Sequence, residues 1–212
     1  MEIDIIFDTV CPWCYIGKKR LEKALAMRPA IKAKPNWRPL LLNPEMLPEG
    51  IDRTAYLIKK FGSQARVSRI YGAIGEAGQS VEIDFDFDRI GRTPNSVDSH
   101  RLLRFADKRG LADKLVESLF IEFFINGRDI GDIGVLTEIG GAAGLDAGEL
   151  RAYLESDEDV RLIYDENARA HRLGINGVPS FAFNGKFVIS GAQEPQVLAR
   201  MLDAALATDN VA

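Results

Sequence analysis

The segment Ile3-Asp4-Ile5-Ile6-Phe7-Asp8-Thr9-Val10-Cys11-Pro12-Trp13-Cys14-Tyr15-Ile16-Gly17 decides how the chain is read. Residues 3–7 form a short β-type run, and Asp8-Thr9-Val10 interrupts it. From Cys14 to about Met27 the apolar positions Ile16, Leu21, Ala24 and Leu25 recur at helical spacing, with Lys18, Lys19, Arg20, Glu22 and Lys23 on the other faces. The order is strand, loop, helix. Pro12 suits the first helical position, where its missing N–H has no partner to lose, so Cys11 is predicted at the N-cap.

On a helix, positions three apart lie about 5–6 Å from one another, within reach of a disulfide after modest adjustment. As a staple the Cys11–Cys14 pair is poor, because so short a loop contributes only about 2 kcal/mol. Such a pair suits cycling better than holding. A thiol with a pKa of about 8.5 is only a few per cent ionised at neutral pH, whereas one near 6 is roughly 90% thiolate. The helix dipole supplies about 0.3–2 kcal/mol of that difference, so neighbouring N–H and S–H donors must supply the rest. Cys11 is therefore expected to attack and Cys14 to be the buried, resolving thiol. The plain alternative is an inert buried pair. Zinc would need two further ligands, but His100 and His171 lie at no finger spacing and there is no second CxxC, so no metal is expected.

Composition excludes other classes. The 212 residues are 46% apolar and 27% charged, with 27 basic against 31 acidic side chains and only two cysteines. Two cysteines make no disulfide scaffold, and a formal charge of −4 is no basic footprint for nucleic acid. A chain of this size buries roughly 70% of its unfolded surface and needs no staple. The N-terminus has no basic start, apolar run or cleavage site, so no signal peptide is expected. The apolar runs, such as Phe123 to Ile125 preceded by Ile121, fall far short of the ~20 residues that span a bilayer. A cytoplasmic protein without membrane contact is the expectation. In a reducing compartment the cysteine pair is then more naturally catalytic, redox-sensing or metal-binding than structural.

A second β-type stretch covers about Lys34 to Leu42, where Pro35 and Pro39 argue for an edge. Residues 43–50 read as a loop. Helical spacing follows over 54–61, 64–77, 96–108, 111–126, 133–143 and 147–155, punctuated by glycines 62, 78, 110, 127, 131 and 144. A helix from about 158 to 173 leads to Ser180-Phe181-Ala182-Phe183, an Asn184-Gly185 turn and Lys186-Phe187-Val188-Ile189, a hairpin signature. A helix from about 193 to 206 closes the chain, with the last few residues expected to fray. Gly140-Gly141-Ala142-Ala143-Gly144 lacks the strand and spacing of a dinucleotide loop. The fold predicted is α/β, with residues 1–42 and 157–212 forming one sheet domain and 43–156 an all-helical insertion.

Cys11-Pro12-Trp13-Cys14 after a strand, and Gly177-Val178-Pro179-Ser180-Phe181 before a hairpin, together resemble the thioredoxin superfamily. With Asp8 to Gly17, Leu42-Asn43-Pro44 and Thr93-Pro94-Asn95-Ser96-Val97-Asp98-Ser99-His100-Arg101-Leu102, nearly the whole chain resembles the DsbA family of thiol oxidoreductases, in its FrnE-like branch without a signal peptide. The resemblance implies a thioredoxin-like fold with a helical insertion, and dithiol–disulfide exchange through a mixed disulfide. It implies a cis bond before Pro179, which sits against the cysteine pair, and backbone groups of Val178 offered to an extended substrate. Pro12 and Trp13 support the site, Trp13 as an exposed wall whose identity tunes the redox potential. Asn95 would hydrogen-bond a substrate and His100 modulate the thiolate; the alternative is that Asn95 and Ser96 cap a helix and His100 packs. Substrates would be thiols or disulfides of proteins or small molecules, with no metal or organic cofactor and with glutathione as a candidate co-substrate. Related glutathione-dependent enzymes, the 2-hydroxychromene-2-carboxylate isomerases and kappa-class transferases, share the fold but carry serine at the position of Cys11. Two cysteines favour disulfide exchange over that chemistry. A non-catalytic redox sensor is the third class, and oligomeric state follows from none of these motifs.

Overall fold

The computed structural model describes residues 1–209; the fraying expected at the C-terminus concerns residues beyond them. Strand β1 (Glu2–Phe7) lies inside the sheet, between parallel β2 (Lys34–Pro39) and an antiparallel strand far along the chain. A parallel neighbour needs a crossover, and helix α1 (Pro12–Ala26) provides it. Alternation along β1 sends Ile3, Ile5 and Phe7 to one face and Ile6 to the other. β2 is an edge strand, which accommodates its two prolines. It ends at Pro39, short of the predicted Leu42. Side chains capture the next backbone donors: Leu41 N–H reaches Asn167 Oδ1 at 2.9 Å and Leu42 N–H reaches Asp8 Oδ2 at 2.7 Å, which ends the ladder.

The chain then enters its helical part: β3 (Ile51–Asp52), α2 (Arg53–Phe61), α3 (Gln64–Gln79), β4 (Arg92–Thr93), α4 (Val97–Asp107), α5 (Ala112–Phe124), α6 (Ile133–Ala143) and α7 (Ala147–Glu155). β3 and β4 pair over two residues only, too few to show any periodicity in sequence. Gly62 and Gly144 end α2 and α6 in the left-handed conformation. Gly78 does not break its helix as predicted. It lies in the last turn of α3, where a Cβ would stand 2.6 Å from the Phe85 ring, so it is kept small by packing.

Helix α8 (Val160–Arg172) returns the chain to the sheet, followed by β5 (Ser180–Phe183), β6 (Phe187–Ser190) and α9 (Pro195–Asp209). The sheet order is β2-β1-β5-β6. Between β5 and β6 the loop has three residues, Asn184 to Lys186, rather than the two predicted; Asn184 (φ 48°) and Gly185 (φ 65°) take the positive-φ positions, and pairing resumes at Phe187 opposite Phe183. α1 and α9 cover one face, burying Ile16, Phe181, Phe183, Leu198 and Leu202. α8 lies on the other, with Ala170 against Ile6, Leu40 and Ala182. The core on the α1 side runs without a break into Leu115, Leu119, Phe120, Phe123 and Phe124 of α5. The fold is α/β with a helical insertion.

One buried cation secures the insertion. Arg101 on α4 is 1% exposed, and its guanidinium donates to the carbonyls of Tyr153, Leu154, Ser156 and Glu158 and to Asp98, closing the C-terminal end of α7 together with Ser156, whose N–H and hydroxyl also donate to the Tyr153 carbonyl.

Candidate active site

Cys11 is the N-cap of α1 with extended backbone (φ −100°, ψ 112°), Pro12 begins the helix, and the Cys11 side chain makes no capping bond. The sulfur is thus held at the positive end of the helix without being spent on it. Cys11 N–H donates to the Asp8 carbonyl at 3.1 Å and Cys14 N–H to the Cys11 carbonyl at 3.0 Å, which locks the strand-to-helix turn. Both thiols are free and buried, Cys14 at 2% exposure and Cys11 at 5%. Burial pushes the Cys14 thiol well up from its usual range, the hydrogen bond and charge of Cys11 push it further, and the Asp8 backbone N–H opposes them. Trp13, between the sulfurs in sequence, is 38% exposed, and Pro12 is half-buried.

Pro179 stands on α1 one turn beyond Cys14. A Cβ on Gly17 would meet Pro179 Cγ at 2.8 Å and Phe181 Cζ at 3.2 Å, so the missing side chain lets strand and helix touch. The Val178–Pro179 peptide bond is cis, and the Pro179 carbonyl accepts from Gly191 N–H at 2.7 Å. Val178 is half-buried, and among the described residues its own N–H and C=O engage no other backbone group.

Asn95 and His100 are placed differently from each other. The Asn95 amide donates to the Met46 carbonyl at 2.7 Å and its oxygen accepts from Val97 N–H at 2.9 Å, so it caps α4 and pins the 43–50 loop, while the Ser96 hydroxyl makes no cap. His100 is 3% exposed, edge-on to Phe7 at 5.1 Å, with Nε2 3.4 Å from Asp8 Oδ1 but out of line for a hydrogen bond. His171 is exposed and meets Asn176 at 3.0 Å. Among the described residues no three His, Cys, Asp or Glu side chains converge as a metal would require, and no helix is long and apolar enough to cross a membrane.

Several residues of the site carry no recognisable signal in sequence. Asp8 is fully buried, held through Leu42 N–H, although as a polar residue between strand and helix it reads as a loop. Thr9 Oγ1 lies 2.7 Å from Ser99 Oγ, docking α4 onto the β1–α1 turn. On the outer side of α1, Glu117 of α5 takes Tyr15 OH at 2.9 Å, Lys18 at 2.7 Å and Lys19 at 2.6 Å, and Lys18 also meets Glu22. Burial works to raise the Glu117 carboxyl, but the two lysines outweigh it and hold it below the usual carboxylate range.

Comparison with known proteins places this geometry. The solved structure of a probable DsbA oxidoreductase from Streptomyces coelicolor matches at a TM-score of 0.89 and 30% identity, covering 98% of this chain and 90% of that one. The cytosolic disulfide reductase DsbM of Pseudomonas aeruginosa matches at 0.69 and 18% identity, covering 98% of this chain and all of that one. A 2-hydroxychromene-2-carboxylate isomerase matches at 0.71 and 16% identity, covering 98% and 95%; at such identities the likeness is one of fold. The uncharacterized protein YwbO of Bacillus subtilis is 24% identical over 95% of this chain and 96% of its own length. The model of the DSBA-like thioredoxin domain matches residues 2–203, and the chain belongs to that family.

Proposed function

We propose that the protein is a thiol:disulfide oxidoreductase working through Cys11 and Cys14. The observation that carries this is their inequality: Cys14 is sealed and held as a thiol by burial and by Cys11, whereas Cys11 stands at the N-cap of α1 with its sulfur spent on no capping bond. Cys11 thiolate attacks one sulfur of a substrate disulfide, forming the mixed disulfide and releasing the first substrate sulfur as thiolate. Cys14 then loses its proton and attacks Cys11, forming the Cys11–Cys14 disulfide and releasing the second. The substrate is reduced by two electrons and the enzyme oxidised by two; the reverse sequence oxidises a dithiol. Trp13 borders the incoming sulfur, and Val178 receives the substrate backbone as an added strand, supported by its unengaged N–H and C=O. The chemistry draws only on the two sulfurs and the substrate, with a cytoplasmic setting and glutathione as a co-substrate within reach of the same reading. A structure of DsbM with glutathione, of the same fold, lends that last point support.

The test is capture. Cys14→Ser should accumulate a mixed disulfide on Cys11 detectable by mass, and Cys11→Ala should abolish both capture and insulin reduction; full insulin reduction by Cys11→Ala removes the mechanism. Capture of glutathione alone moves the protein to the glutathione-dependent enzymes, and a reversible disulfide without turnover makes it a sensor. The reduction potential of the pair fixes the direction.

A further inference from the structure

Among the described residues, Arg20, Arg53 and Arg101 are the buried arginines, and two of them are paired: Arg20 with Glu194 at 2.7 Å and Arg101 with Asp98 at 2.7 Å. Arg53, 8% exposed, meets no carboxylate among the described residues, and its guanidinium makes one hydrogen bond, from Nη2 to the Tyr71 hydroxyl at 2.7 Å. Nε is sealed without an acceptor, and Nη1 has none among the described residues. The ring faces of Tyr71 and Phe123, with centroids 5.7 and 5.6 Å from Cζ, attract the cation without neutralising it. Arg53 also opens α2 directly after the Asp52 cap, so a positive side chain begins at the positive end of a helix. A buried cation in this state costs free energy unless an anion meets it. Arg53 forms part of the wall of a cavity of about 380 Å³ between α2, α3 and residues 85–90. Leu57, Val67, Phe87 and Ile90 make much of that wall apolar, and Tyr71 stacks on Phe87 at 4.2 Å. Neither α1 nor the sheet contributes to it, so the cavity is separate from the dithiol. Two acids share the wall: Asp86 is paired with Arg89 at 2.8 Å, whereas Asp88 is exposed and meets no cation among the described residues.

We propose that this cavity in the helical insertion binds a small organic monocarboxylate with an apolar or aromatic body, the carboxylate received by Arg53 and the body by Leu57, Val67, Tyr71 and Phe87. A planar guanidinium presents paired N–H groups that match the two oxygens of a carboxylate, which a lysine in its place would not. The N-terminus of α2 adds its field to the same charge, so the two features that make Arg53 costly when the cavity is empty both favour an anion in it. The volume lies in the range of small-ligand sites, roughly 300–1,000 Å³. Asp88 in the same wall opposes a second negative charge, which sets monoanions above phosphate and dicarboxylates. The inference goes beyond the dithiol chemistry and does not depend on it, because no wall of the cavity holds a cysteine.

Titration calorimetry on the reduced full-length protein tests this with 3-phenylpropanoate and indole-3-acetate as probes and 3-phenylpropanol as the uncharged control of the same shape. The acids are expected to bind saturably at one site per chain, and the alcohol more weakly than 3-phenylpropanoate by roughly tenfold to a hundredfold, the cost of losing a charge-assisted hydrogen-bonded pair. Arg53→Met should weaken 3-phenylpropanoate by the same factor and leave the alcohol unchanged, whereas Phe87→Ala should weaken both. Inorganic phosphate should bind less tightly than either acid. Saturable binding of neither acid, equal affinity for 3-phenylpropanoate and the alcohol, or an unchanged affinity for the acid in Arg53→Met overturns the site. Phosphate binding more tightly than the acids overturns the class of ligand. If Arg53→Met does not fold, the wild-type comparison of acid with alcohol decides the matter, together with Ser68→Tyr, which narrows the cavity from an exposed position on α3 and should weaken the acid; full affinity in Ser68→Tyr places the acid elsewhere and overturns the site.

Discussion

Gly17→Ala tests whether contact between α1 and Pro179 governs the site. The new methyl carbon would lie 2.8 Å from Pro179 Cγ, 3.2 Å from Phe181 Cζ and 3.3 Å from Pro179 Cβ. Carbon atoms rest at about 3.5–4.0 Å, so something must yield by roughly 0.7 Å. Phe181 is completely buried and the proline ring is stiff, so the movement falls on α1 or on residues 178–180, the two walls of the site. Alanine in place of glycine inside a helix ordinarily stabilises by about 1 kcal/mol, while overpacking costs about 1–3 kcal/mol. The net is a loss of between about zero and 2 kcal/mol, or a melting temperature lower by at most about 8 °C for a chain of this size. Activity should suffer more, since misplacing reacting groups by about 1 Å is worth about a hundredfold in rate. Urea unfolding and the rate of exchange with a peptide disulfide measure the two effects together. A variant that gains about 1 kcal/mol and exchanges at the wild-type rate would show Gly17 to be an ordinary helical position and refute the reasoning.

Arg101→Met should lower stability by about 3–5 kcal/mol, the usual cost of opening a buried charged network, because the carbonyls of Leu154, Ser156 and Glu158 between α7 and α8 lose their guanidinium donor and Tyr153 keeps only its bonds from Ser156; a loss below about 1 kcal/mol in denaturant would mean that water replaces it freely. Glu117→Gln should destabilise at neutral pH and progressively less below pH 4.5, the ordinary value for its carboxyl. The sign follows because a carboxyl depressed in the folded state stabilises above its unfolded pKa and loses that contribution as pH falls through the folded one; equal loss at pH 3 and pH 7 in thermal melts would assign the effect to packing.

The dithiol and its helix are legible in sequence because they rest on local rules. Pro12 can only begin a helix, so Cys11 has to cap it, and the structure places both there. Asn184-Gly185 announces the hairpin for the same reason, since few residues accept two positive φ angles in succession, but whether Lys186 belongs to loop or strand depends on the pairing of Phe187 with Phe183. Leu40 to Leu42 look like strand until Asp8 and Asn167, distant in the chain, take their N–H groups. Asp8 is invisible for a related reason. A carboxylate in a three-residue break looks solvated, and only the fold reveals that His100, more than ninety residues later, covers it. Asn95 carries the motif that suggests substrate contact, yet its polar atoms are drawn into capping and loop docking.

The position of β1 between β2 and β5 has a consequence in time. Pro179 follows Cys11 by 168 residues. A ribosome adding about 5–20 residues per second makes the cysteines roughly ten to thirty seconds before it makes the proline that walls them in. During that interval the residues of β1, α1 and β2 are contiguous in the emerging chain, while His100, Pro179 and the covering α9 are still unmade. For each newly made molecule, therefore, the two thiols are made well before the proline, the histidine and the last helix that bury them in the finished fold.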